Sequence, residues 1–158
     1  MSVPVRLPLP DPGATKRLGA MLSGHHGRLV VFLHGDLGSG KTTLVRGLLR
    51  ALGHRGSVPS PTYTLVEPYS VCGRECLHLD LYRLGDPEEL DYLGLRELLE
   101  GPVLVLVEWP ERAGDGLPAP DVEILLEYEG DQRRATVFAR SAVGGSVVEN
   151  LDRDHIVQ

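Results

Sequence analysis

At 158 residues, with 42% hydrophobic and 24% charged side chains, the chain has the size and balance of one globular domain with a buried core, expected to span residues 1–158. Its 16 basic and 22 acidic residues leave a net charge of −6, which argues against a protein that grips nucleic acid unaided, because such binding neutralises phosphates with Lys and Arg. No apolar run approaches the roughly 20 residues that span a bilayer, and the proline-bearing start lacks the basic-then-apolar layout of a signal peptide. A cytoplasmic protein with no membrane attachment is therefore expected.

Val3, Val5, Leu7 and Leu9 alternate with polar residues or prolines, predicting an edge strand, since proline cannot donate to a ladder. Asp11 followed by Pro12 reads as a helix N-cap with proline in the first turn. Ala14, Leu18, Met21 and Leu22 then keep helical spacing up to Gly24. Residues 28–34, RLVVFLH, form the apolar run of a strand covered on both faces. Beyond a glycine-rich stretch, Leu44, Val45, Leu48, Leu49 and Leu52 mark one face of a helix stopping at Gly53. Residues 54–61 read as loop, and 62–71 with 74–84 as two strands of a hairpin turning at Cys72-Gly73.

Asp86-Pro87-Glu88-Glu89 opens a helical stretch with acidic residues at the positive end of its dipole. It runs to about Glu100 with a break near Gly94. VLVLV at 103–107 is a second fully apolar strand, ending in Glu108-Trp109-Pro110. A Gly/Pro-rich loop at 113–120 leads to two alternating strands, 121–128 and 133–139. The end, 141–158, reads as a helix or a loose tail. Cys72 and Cys76, with His78 nearby, lack the second ligand pair a zinc site needs, so they read as reduced thiols flanking a turn.

These elements predict an α/β fold of the P-loop NTPase type, with a central mainly parallel sheet, flanking helices and an antiparallel hairpin edge. Strands 28–34 and 103–107 pair at its centre, since helical crossovers enforce parallel pairing. The hairpin lies beside them, and 121–139 extends one edge.

The glycine-rich stretch carries the chemistry. Gly35-Asp36-Leu37-Gly38-Ser39-Gly40-Lys41-Thr42, with Thr43 after it, sits between a buried strand and an amphipathic helix, the setting a phosphate-binding loop requires. Glycines let backbone N–H groups cradle phosphate oxygens, and the helix aims its positive end at the same anion. Lys41 reaches the terminal phosphates and Thr42 ligates Mg²⁺. Without nucleotide, Lys41 is expected to face solvent. Asp11 and Arg133 complete the expected nucleotide contacts. The Asn-Lys-x-Asp element that reads guanine is missing, so ATP is the expected nucleotide.

An acid at a strand end must stand near the metal, and two qualify. Glu108 ends the 103–107 run; Asp80 shares a strand face with His78 and Tyr82. Lys41, Asp80 and Glu108 form the expected catalytic set, and Thr42, Glu108 and Asp80 the expected Mg²⁺ ligands. Two rival readings stay open: a small-molecule kinase, for which no lid-sized insertion is visible, and a nucleotide switch that recruits partners without turnover.

Several stretches together resemble the TsaE family of bacterial ATPases: GDLGSGKTTLVRG (35–47), SPTYTLVEPY (60–69), HLDLYRLGDPEEL (78–90), LVEWPER (106–112) and PDVEI (120–124). The resemblance runs from about Leu9 to Arg140. It implies ATP held by residues 38–43, Mg²⁺ held by Thr42 and Glu108, and Asp80 close to the metal and the attacking water. Ser60 to Thr64 resembles the family's switch-like loop, with Thr62 or Thr64 facing the γ-phosphate. The family supports threonylcarbamoylation of the tRNA adenosine next to the anticodon. The resemblance therefore implies two partners, a transferase subunit and its paralogue, with tRNA met only through that complex.

Overall fold

A computed structural model of the chain describes residues 3–61, 64–92 and 94–157, the side chains of Tyr92 and 152–157 excepted. Strand β1 (Val5–Leu9) leads into α1 (Pro12–Leu22), where the Asp11 carboxylate caps the helix by accepting from Ala14 N at 2.8 Å. Strand β2 (Leu29–His34) is followed by the glycine loop and α2 (Lys41–Leu52), which ends at Gly53 in a left-handed cap with φ 112°. The hairpin β3 (Val66–Val71) and β4 (Arg74–Asp80) turns through Cys72 and Gly73, φ 51° and 81°, as a tight two-residue turn demands. Both strands are shorter than expected: Leu65 takes φ 67° before β3, and after β4 the chain turns, with Leu84 N donating to Leu81 O at 3.0 Å.

The stretch after Asp86 is two short helices, α3 (Glu89–Tyr92) and α4 (Leu95–Leu98), divided at Gly94 with φ 66°. The first starts later than Asp86, whose carboxylate instead accepts from Glu88 N at 2.9 Å. Strand β5 (Leu104–Glu108) runs into a 3-10 turn at Pro110–Ala113, and β6 (Val122–Glu129) with β7 (Gln132–Ala139) make a second hairpin. The end of the chain forms helix α5 (Ala142–Val157), which buries Val147, Val148 and Leu151 against the core.

The seven strands form one sheet in the order β1-β7-β6-β2-β5-β4-β3. The inner four, β6-β2-β5-β4, run parallel; β7, β1 and β3 are antiparallel to their neighbours. Residues 121–139 extend the sheet as expected, but β1 is its true rim on that side, with Pro8 where no inner ladder needs its N–H. The larger core lies between α1, α2, α5 and one sheet face, around Leu18, Leu44, Leu48 and Leu106. A second cluster on the other face joins Leu77, Leu79 and Val105 to Leu90 and Leu95 of the short helices.

Helices α1 and α2 cross backbone to backbone. A Cβ on Gly19 would stand 2.0 Å from Leu44 O, and one on Gly47 would stand 2.2 Å from Lys16 O. Gly47→Ala is therefore expected to lose about 1–3 kcal/mol of stability, even though Ala favours helix over Gly by about 1 kcal/mol. A chemical-denaturation midpoint equal to wild type would contradict the crossing. Cys72 is exposed and Cys76 buried, both as free thiols. Burial pushes the Cys76 thiol up to about 12, against a weaker pull downward from Arg74. Because the thiolate is the reactive form, iodoacetamide at neutral pH should label Cys72 and spare Cys76 in native protein, with peptide mass spectrometry as the readout.

Candidate functional site

The parallel strands β2, β4 and β5 end together, and the glycine loop springs from the first of them. Gly35, Gly38 and Gly40 take φ 149°, 79° and 110°, which only glycine adopts freely. A Cβ on Gly35 would meet Ser39 Oγ at 2.5 Å and Leu126 O at 2.6 Å. The loop is thus tight from inside, and Ser39 Oγ is buried with no hydrogen-bond partner. Asp36 and Leu37 stand at the exposed tip, Leu37 at 62% exposure, with its carbonyl accepting from Tyr128 Oη at 3.1 Å.

Lys41 departs from expectation. It is only 5% exposed rather than solvent-facing. Its Nζ donates to Gly35 O at 2.5 Å and lies 3.8 Å from the centroid of the Trp109 ring. Burial lowers its pKa from the ordinary lysine value, and the carboxylates of Glu108 and Asp80 oppose that shift. Trp109 reaches the ammonium because its backbone takes the left-handed region, φ 58° and ψ 49°, directly after β5. A non-glycine residue held there stores strain of the order of 1–3 kcal/mol, the kind that gathers at functional sites.

Register brings the two acids side by side, Asp80 of β4 opposite Glu108 of β5, and both are buried, at 5% and 3% exposure. Each has its own donors, as buried carboxylates require. Asp80 accepts from Tyr82 N at 3.1 Å and Ser60 Oγ at 3.2 Å. Glu108 Oε2 accepts from His78 Nε2 at 2.6 Å and, more loosely, from Thr42 Oγ1 at 3.4 Å. Lys41, Thr42, Ser60, Asp80, Glu108 and Trp109 line one cleft of about 360 Å³.

A second hollow of about 200 Å³ opens on the other side of the loop, lined by Asp11, Thr15, Thr43, Gln132 and Arg133 among others, and sharing Gly38, Gly40 and Thr43 with the first. Asp11 and Arg133, far apart in sequence, meet here. Arg133 Nη2 donates to Gly38 O at 3.4 Å, and its guanidinium lies 3.9 Å from the Tyr128 ring centroid. The Asp11 carboxylate also serves as the α1 cap. Thr62 lies outside the described residues; Thr64 is exposed in a turn.

Sequence reasoning overlooked His78, Trp109 and Tyr128 as members of this site. His78 alternates with Asp80 along β4, a signal that was present, but its link to Glu108 needs the β4–β5 pairing. Trp109 and Tyr128 belong to the site through a left-handed backbone and a hairpin, which residue type does not disclose.

A glycine loop joining β2 to α2 at the carboxyl ends of a parallel sheet defines the P-loop NTPase fold. Within that class, the chain belongs to the TsaE family: residues 9–136 match the family described as "Threonylcarbamoyl adenosine biosynthesis protein TsaE". It is 44% identical over 120 residues to the tRNA threonylcarbamoyladenosine biosynthesis protein TsaE of Haemophilus influenzae, covering 76% of each chain. To the Bacillus subtilis protein of the same name it is 38% identical over 115 residues, 73% of this chain and 70% of the relative. The crystal structure of Bacillus subtilis YdiB is similar throughout, with a TM-score of 0.83, 28% identity and 98% of each chain covered. Among the described residues, no helix is long and apolar enough to cross a membrane.

Proposed function

We propose that the chain is a Mg²⁺-dependent, cytoplasmic ATPase that serves threonylcarbamoylation of the tRNA adenosine next to the anticodon. It acts with a transferase subunit and its paralogous partner and meets tRNA only through them. The observation that carries this reading is the convergence of Lys41, Thr42, Asp80 and Glu108 on one cleft beneath the glycine loop.

The loop fits a phosphate chain: three glycines in positive φ, a Cβ-intolerant cradle at Gly35 and an orphaned Ser39 hydroxyl. The hard oxygen donors Thr42, Asp80 and Glu108 fit Mg²⁺, which binds through one or two carboxylates plus substrate phosphates rather than through an all-protein cage. Thr42 and Glu108 would hold the ion, with Asp80 beside them. When bound, Mg²⁺ supplies charge neutralisation on the phosphates.

The chain's own residues do the rest. Lys41 leaves Gly35 O and the Trp109 face to bind phosphate oxygens. Asp80, held by Tyr82 N and Ser60 Oγ, orients the attacking water. The hollow holding Asp11 and Arg133 takes the nucleoside end of ATP.

The test is steady-state ATP hydrolysis by the chain alone and with both partner proteins, alongside separately measured nucleotide binding. Slow turnover alone and clear stimulation by the partners is the expected result. Full activity alone, unchanged by the partners, would favour a free-standing ATPase or a kinase.

A further inference from the structure

We infer that His78 is a positioning residue for Glu108: an imidazole whose Nε2–H donates to Oε2 and fixes how the carboxylate meets the nucleotide's metal shell. The kinetic consequence rests on the ATPase reading above; the tautomer does not.

His78 is fully buried, at 0% exposure, in the middle of β4. Its Nε2 lies 2.6 Å from Glu108 Oε2, and its Nδ1 is buried with no hydrogen-bond partner. These contacts call for a proton on Nε2. With the proton on Nδ1, two lone pairs would face each other at 2.6 Å and an N–H would be orphaned. A proton on Nε2 satisfies the contact with Glu108.

Register explains why a donor is needed at this position. His78 pairs with Leu106, one step diagonal from Glu108, while Asp80 pairs with Glu108 directly. Two carboxylates side by side repel, and each would drift without its own donors. Ser60 Oγ and the Tyr82 amide hold Asp80. His78 is the short contact on Glu108, since the Thr42 hydroxyl is at 3.4 Å. The imidazole draws Glu108 toward β4, beside Asp80.

A core histidine that merely fills space would be replaceable by Leu. A positioning donor would be replaceable by Gln, whose amide nitrogen can reach the place of Nε2. The experiment compares H78L and H78Q with wild type, using full-length chain with the two partner proteins. H78L should lose partner-stimulated kcat by roughly 10- to 100-fold, the range for groups that orient metal ligands. Its KM for ATP should stay within about twofold on the same expectation, because the donor acts on the acid and not on the nucleotide. H78Q should recover most of the rate.

Two readouts need no turnover. Imidazole ¹⁵N NMR of the nucleotide-free wild type should show a protonated Nε2, with its proton shifted in Glu108→Gln. Mg²⁺ should tighten nucleotide binding less in H78L than in wild type. A bare Nε2, or H78L matching wild type in rate and Mg²⁺ dependence, or H78Q as impaired as H78L, would overturn the inference. If H78L fails to fold, H78Q and the NMR tautomer still decide. If wild type hydrolyses no ATP, the ATPase reading falls, while the tautomer and the Mg²⁺ dependence of binding still judge His78.

Discussion

Glu108→Gln is expected to reduce partner-stimulated ATP turnover by roughly 100-fold, the scale seen when one preorganised electrostatic contact is removed, while nucleotide affinity changes little. Gln keeps the shape of Glu and an oxygen able to accept from His78 Nε2, so the buried position at 3% exposure stays packed and satisfied. What disappears is the negative charge beside Thr42 and Asp80. If Glu108 acts on the metal shell during hydrolysis, the loss belongs to kcat; the loop amides and Lys41 still grip the phosphates. Steady-state kinetics with both partners, paired with equilibrium binding, checks the split. A rate unchanged from wild type would remove Glu108 from the mechanism, and equal losses in rate and affinity would make it a binding group only.

Lys41→Met should abolish ATP binding and yet leave the nucleotide-free protein at least as stable as wild type. The ammonium is buried on Gly35 O and the Trp109 ring, and desolvation lowers its pKa below the unfolded value of 10.5 despite Glu108 and Asp80. For a base this means that the charged form is disfavoured in the folded state. The penalty is present in full where the folded lysine is still charged, and it is relieved as pH rises through the window between the lowered folded pKa and 10.5. Met fills similar space without that penalty. Thermal unfolding at pH 7 should therefore show an equal or higher midpoint for the empty variant, and added ATP should raise the wild-type midpoint alone. A lower midpoint, or a variant still stabilised by ATP, would contradict the assignment.

Much of the fold was legible because its signals were local. The apolar runs at 28–34 and 103–107 could only be covered strands, and Asp11-Pro12 could only open a helix; both stand in the structure. The glycine loop carried its chemistry in residue types alone. What escaped depends on pairing and on unusual backbone. Nothing near His78 in sequence announces Glu108, which the β4–β5 register places diagonally across from it. Lys41 was expected in solvent because a lysine's default is exposure; the left-handed turn at Trp109 that covers it leaves no mark in composition. The edge position of β1 was expected from its prolines and stands, but its partner, a strand nearly the whole chain away, was not legible.

The glycine crossing of α1 and α2 has a mechanical meaning. Helix α1 starts at the Asp11 and Thr15 side of the loop, and α2 starts with Lys41 and Thr42 on the other, Thr43 facing both. Because Gly19 and Gly47 seat backbone against backbone, the two helices cannot press closer or slide without a steric clash, and parting them would open the core around Leu18, Leu44 and Leu48, so the hollow on one side of the loop and the cleft on the other are held at one spacing. The pair works as a fixed gauge that measures a ligand by its span. Movement that accompanies ligand exchange would then fall to parts outside the gauge, such as the left-handed turn at Trp109 that covers Lys41.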